Sequence, residues 1–178
     1  NQDIPMDILE NRAAWTANFR AGWLATAEAT GKLDWKRYQR PANAQPVGGK
    51  AIDLRKARLI LISSAGAYLP ASQAPFDAPN PYGDYTIRRI PVWTPISAIA
   101  YAHDHYDHAA VDADPDVLVP VRRLDEMVSA GAIGGLADDF ISFGGYQPAL
   151  DRVIDETIPA IVREVKVLGA DAALLVPA

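Results

Sequence analysis

Tyr101-Ala102-His103-Asp104-His105-Tyr106-Asp107-His108 holds every histidine of the chain. Three imidazoles and two carboxylates in so short a stretch support three kinds of chemistry. They can ligate a divalent metal through His103, His105 and His108, because neutral imidazole is the commonest metal ligand. They can move protons, with a histidine as general acid oriented by Asp104 or Asp107. They can also be solvated groups at a capped strand end. Residues 103 and 105 share a face if a strand continues, and 105 and 108 share one if a helical turn begins, so spacing leaves the ligand set open. The catalytic candidates are His103, His105, Asp107 and His108.

These residues need elements to hold them. The apolar run Ile96 to Ala102 reads as a buried strand that delivers the cluster. Arg58-Leu59-Ile60-Leu61-Ile62-Ser63-Ser64 reads as a central parallel strand covered on both faces. It runs into Ser63-Ser64-Ala65-Gly66-Ala67, and small residues after a strand are where open α/β sheets bind ligands. Ser64 and Gly66 are therefore substrate-binding candidates, although the glycine spacing of a dinucleotide or phosphate loop is absent. Residues 68–85 form a long proline-rich loop, and Tyr85 to Pro91 reads as a strand whose adjacent Arg88 and Arg89 face opposite ways. Arg88 is the candidate fork for a substrate carboxylate. Asp139 to Tyr146 is an apolar segment closed by two glycines, which adds Ser142, Gly144, Gly145 and Tyr146 to the substrate-binding set.

Around these, residues 6–30 predict a helix with the stripe Ile8, Trp15, Phe19 and Trp23, stopped by Gly31. So many aromatics on one stripe suggest that part of it faces another subunit. Residues 35–50 read as a connection. Pro120 opens a helix with Val121, Leu124 and Val128 inward. Residues 150–168 predict a long helix that Pro159 kinks or divides, followed by a strand over Asp171 to Pro177. Strand, helix and strand in that order indicate a βαβ unit. The expected fold is α/β, a three-layer sandwich with a mainly parallel sheet, Rossmann/flavodoxin-like. Residues 1–50 form an N-terminal helix and connection, and residues 51–178 form the α/β domain.

Composition narrows the function. A net charge of -5 and a pI of about 5.1 disfavour nucleic acid and anionic membrane surfaces as partners. The chain has no cysteine, so these residues contain no disulfide, thiolate zinc site or cysteine nucleophile. No apolar run approaches the roughly 20 residues of a membrane helix. Asn1 to Glu10 carries no basic leader, and the missing initial Met suggests a trimmed start. Because the chain stops at Ala178, directly after a strand, further polypeptide is expected there.

His103-Asp104-His105-Tyr106-Asp107-His108 also matches the His-x-His-x-Asp-His zinc signature of metallo-β-lactamase-like hydrolases. Those enzymes use a further downstream histidine, which has no match here. A metal-dependent hydrolase is thus one alternative. A different series covers residues 58–178. It comprises Gly83-Asp84-Tyr85-Thr86-Ile87-Arg88-Arg89-Ile90-Pro91, the histidine stretch, Asp114-Pro115-Asp116-Val117-Leu118-Val119-Pro120-Val121-Arg122-Arg123-Leu124, Ile133-Gly134-Gly135-Leu136-Ala137, Ser142-Phe143-Gly144-Gly145-Tyr146 and Gly169 to Pro177. This series resembles the glycine/sarcosine/betaine reductase and D-proline reductase selenoprotein-B family, most closely its D-proline-reductase-type subunit.

The resemblance implies a cytoplasmic subunit of a homo- or hetero-oligomeric reductase. Such an enzyme cleaves a C–N bond of a small amino-acid-like substrate with electrons from a thiol donor. It implies a cysteine or selenocysteine nucleophile in a Cys-x-x-Cys-like motif directly after the Leu174-Leu175-Val176-Pro177 strand, beyond Ala178, and no separate cofactor, zinc being the alternative. The histidine strand is expected beside Ala172 to Pro177 in the sheet, with one histidine protonating the departing amine. A non-catalytic subunit of such a complex is the remaining alternative.

Overall fold

A computed structural model of the chain describes residues 8–45, 51–104 and 106–178. Its centre is β1 (Arg58–Ser63), whose residues are buried from Leu59 onward. An unbroken Leu/Ile run loses water contact on both faces only inside a sheet with packing on each side. Leu59 and Leu61 face one cluster and Ile60 and Ile62 the other, as the two-residue period of a strand requires. Ile60 is 0% exposed, and burial of a side chain of that size stabilises by ~1.5–3 kcal/mol.

The other strands assemble on β1. After the short β2 (Ala67–Tyr68) comes β3 (Ile87–Pro91), then the two-residue β4 (Ala100–Tyr101). β5 (Gly135–Leu136) and β6 (Asp139–Phe143) pair in parallel with successive parts of β1, and β7 (Ala172–Val176) runs parallel along its other side. β3 pairs antiparallel with β6, from Ile87↔Phe143 to Pro91↔Asp139. The fold is thus mixed α/β with a mostly parallel sheet.

Helices supply the packing. α1 (Arg12–Phe19) passes through a π-helical turn, Arg20–Leu24, into α2 (Ala25–Thr30), and Gly31 ends it with φ 66°. α3 (His108–Ala113) and α4 (Val121–Ser129) place Val111 and Leu124 in the Leu59/Leu61 cluster. α5 (Leu150–Arg152) continues through the π turn Val153–Thr157 into α6 (Ile158–Val167), which packs Ile161 and Val165 against the Ile60/Ile62 cluster. Pro159 does not break this helix. It sits in the first turn of α6, and the π turn directly before it accommodates the missing N–H and the ring. β6, this helix and β7 form the expected strand–helix–strand unit, with β1 between the two strands.

Two expectations are corrected. The aromatic stripe is covered by its own chain. Trp15 and Trp23 stack on Phe19 with centroids 5.1 and 5.5 Å away, and Tyr38 meets all three rings edge-on. The connection after the helix thus folds back over the stripe, and Trp15 Nε1–H donates to the Gln39 carbonyl at 2.9 Å. Secondly, the run Ile96 to Ala102 is not a strand of the main sheet. Pro95 leads into a 3-10 turn, Ile96–Ala98, and β4 pairs antiparallel with β2 in a separate two-stranded sheet. It does not neighbour β7, whose partner is β1, and the outer side of β6 is already taken by β3. Among the described residues β7 pairs with β1 alone, and Leu175 is 69% exposed.

No helix among the described residues is long and apolar enough to cross a membrane. Ion pairs tie the N-terminal helix to the C-terminal one: Arg12 meets Asp155 at 2.6 Å and Arg20 meets Asp151 at 2.7 Å.

Candidate functional site

The parallel strands β1, β6 and β7 all end on one side, and the chain turns there through Ser64, Ala65 and Gly66. Gly66 holds two neighbours. Its N–H donates to the Phe143 carbonyl at 2.9 Å, and its carbonyl accepts the Ala102 N–H at 2.9 Å. Its φ is +67°, and a Cβ there would stand 2.5 Å from the Ala102 carbonyl oxygen. The histidine stretch therefore crosses directly over the end of β1, although its strand is not in the main sheet.

His103 is 7% exposed, and its ring packs on Gly145, where a Cβ would stand 3.1 Å from Nε2 and 3.2 Å from the Ser64 carbonyl oxygen. The bare glycine leaves room for the imidazole. Ser64 also receives the segment after β7. Its N–H donates to the Val176 carbonyl at 3.1 Å, and its Oγ accepts the Ala178 N–H at 2.8 Å. Ser64, Gly66, His103 and Gly145 thus come together around the strand ends, with Gly144 joined to Ala65 by an antiparallel bridge.

The remaining candidates are placed as follows. Asp107 caps α3, its Oδ1 accepting the Ala109 N–H at 2.9 Å. His108 opens that helix, with Nε2 2.6 Å from the His103 carbonyl oxygen. His105 lies outside the described residues. Among the described residues no three ligand-type side chains converge on a metal position. Ser142 is fully buried, and its Oγ accepts the Ala67 N–H at 2.8 Å. Tyr146 donates from its hydroxyl to the Pro81 carbonyl at 2.9 Å and meets the Trp35 ring edge-on.

Arg88 and Arg89 do face opposite ways. Arg89 bridges Asp139 at 2.5 Å and Glu164 at 2.9 Å, joining β3, β6 and α6. Arg88 stacks on Phe76 at 4.3 Å and donates to the Ala74, Pro75 and Ile87 carbonyls and the Thr86 hydroxyl. Those four bonds leave one of the five guanidinium N–H groups for a ligand.

Beyond Phe76 lies a cavity of about 10 Å³, the scale of one water, bounded among others by His103, Asp104, Gly144, Tyr146 and Asp84. Burial alone would raise the Asp84 carboxyl, but the Thr86 hydroxyl, the Asp77 and Thr86 N–H groups and the Arg88 charge outweigh it and hold it below the usual carboxylate range. Sequence reasoning passed over Asp84 and Phe76. An Asp two residues before a Thr in a loop was a readable side-chain turn signal, whereas the place of Phe76 depended on Arg88 folding back onto it.

Comparison with known proteins agrees with the motif series. The family model of glycine/sarcosine/betaine reductase selenoprotein B matches residues 30–177. The D-proline reductase subunit gamma of Acetoanaerobium sticklandii is 29% identical over 123 residues, 69% of this chain and 49% of that protein. The chain therefore spans about half the length of this curated relative. No solved structure matches it.

Proposed function

The chain belongs to the glycine/sarcosine/betaine reductase selenoprotein B family, and from that premise we propose that it is a subunit of a thiol- or selenol-dependent reductase complex. The complex cleaves a C–N or similar carbon–heteroatom bond of a small amino-acid-like substrate, in the cytoplasm, with a thiol as electron donor. The finer fold proposed is a three-layer sandwich of the Rossmann/flavodoxin type.

The observation that carries the reading is the meeting of Ser64, Gly66, His103 and Gly145 where β1, β6 and β7 end. Ligands of open α/β sheets bind at that end. The thiol or selenol supplies the nucleophile and, with the donor thiol, the two electrons of the reduction. His103 gives the departing amine nitrogen its proton, and Ser64 holds the backbone after β7 beside that imidazole. Arg88 buttresses the loop carrying Phe76 and offers its remaining N–H to the substrate carboxylate.

The test uses the full-length polypeptide, purified with its co-encoded subunits. D-proline, glycine, sarcosine and betaine are offered with dithiothreitol as donor, and reduced product is measured. Turnover of one of them is expected. His103→Ala should lower kcat by about 10²–10⁴-fold while leaving the fold intact. Full turnover in both His103→Ala and His105→Ala would remove the proton-donor role. No turnover of any substrate by the intact complex would remove the reductase reading in favour of a non-catalytic subunit.

A further inference from the structure

Tyr106 lies between the histidines in sequence, and the site described so far does not use it. Its ring packs against two imidazoles at once, with centroids 4.4 Å from His103 and 4.7 Å from His108. The His108 contact is a near-parallel stack, 18° between planes. Its hydroxyl donates to the Ala65 carbonyl at 3.0 Å, and Ala65 is wholly buried between Ser64 and Gly66. One side chain thus joins both described histidines to the turn that ends β1. Burial first, then the nearby Tyr101 and Asp112, push this hydroxyl up to about 12, so it stays a neutral donor at ordinary pH.

We propose that Tyr106 is a positioning residue that fixes the ring planes of His103 and His108, and the protonated nitrogen of His108, relative to the end of β1. The part played by the two histidines rests on the reductase reading; how they are held rests on geometry alone. His108 Nε2 lies 2.6 Å from the His103 carbonyl oxygen. A carbonyl only accepts, so Nε2 carries hydrogen, and in the neutral ring Nδ1 is the basic nitrogen. The Tyr106 ring stacked on His108 resists rotation of the imidazole out of that bond. The Ala65 anchor in turn keeps the Tyr106 ring from sliding. His103 also packs on Gly145, where a Cβ would stand 3.1 Å from Nε2, so its imidazole touches both a bare backbone and the anchored aromatic ring.

Two variants of the full-length polypeptide test this, Tyr106→Phe and Tyr106→Leu. The first keeps the ring and loses the anchor, and the second loses both. Nitrogen-15 NMR of the imidazoles reads the His108 tautomer and the exchange rate of its Nε2 hydrogen. Wild type should show one tautomer with hydrogen on Nε2. Tyr106→Phe should keep that tautomer but exchange about three- to ten-fold faster, the scale of one lost hydrogen bond. Tyr106→Leu should exchange faster still and show mixed tautomers. In turnover, Tyr106→Leu should lower kcat at least about ten-fold with KM little changed, and Tyr106→Phe should recover most of it. An unchanged imidazole spectrum in either variant overturns the proposal, so a failure of Tyr106→Leu to fold still leaves Tyr106→Phe to decide. Changed imidazoles in a complex that turns over no substrate would sink the reductase reading and leave the positioning role standing.

Discussion

At Gly66 the backbone takes a left-handed φ of +67° with the Ala102 carbonyl oxygen 2.5 Å from where a Cβ would stand. A side chain there meets both backbone strain and a neighbour that cannot swing aside. Gly66→Ala should lower the unfolding free energy by about 2 kcal/mol or more, read from urea unfolding. Gly22 makes the contrast, because it lies in a helix with nothing within 4 Å of its would-be Cβ. Gly22→Ala should stabilise by about 0.5–1 kcal/mol in the same experiment. A loss at Gly66 no larger than the change at Gly22 would mean that the histidine stretch does not press on the end of β1. The sequence marks Gly66 as part of a small-residue turn, but its need to be glycine arises from a chain 36 residues further on, and local spacing cannot show that.

The C-terminal helix shows the same division between elements. Its apolar period and Pro159 are legible in sequence, yet the π turn Val153–Thr157 that reconciles them is not. Thr157 closes that turn and is tied to a distant segment. That residue is 1% exposed, and its hydroxyl donates to the Tyr85 carbonyl at 3.1 Å. Thr157→Val keeps the shape and removes the donor, leaving a carbonyl beside buried apolar atoms. It should cost about 1–3 kcal/mol by urea unfolding, and a cost near zero would show that Tyr85 finds another donor. The run Ile96 to Ala102 carries the same apolar signal as β1 but is not a sheet strand, because Pro95 redirects the chain and β3 already occupies the free side of β6.

For the whole molecule, one buried and two half-buried tyrosines bear on the behaviour in alkali. Burial is the first cause that pushes Tyr85, Tyr101 and Tyr106 up to about 12, from an ordinary value of 10.0. The folded state therefore holds these protons more tightly than the unfolded state does. The stability this lends is fully present below pH 10 and is lost as pH rises through about 12. Tyrosinate absorbance near 295 nm should lag behind that of the urea-unfolded chain between those values, and unfolding should follow as it rises. Coincident curves for folded and unfolded protein would show that the fold does not withdraw these three hydroxyls from water.

The sequence by itself determined the kinds of element and the kinds of residue. An all-apolar run obliges β1 to be covered on both faces, a 3.6-residue period with capping glycines obliges helices, and the ordered motifs place the chain in its family. It also put all the histidines in one stretch beside a strand end. The tertiary structure decided which strand lies beside which, that β7 pairs with β1 and not with the histidine stretch, and that His103 reaches Ser64 and Gly145 by crossing Gly66 rather than through the sheet. The reason is that apolar pattern measures only the drive to be buried, which many pairings satisfy equally. Pairing itself is settled by long-range competition for edges, by the few backbone positions where two segments can approach, and by side chains such as Tyr106 that lock one approach in place.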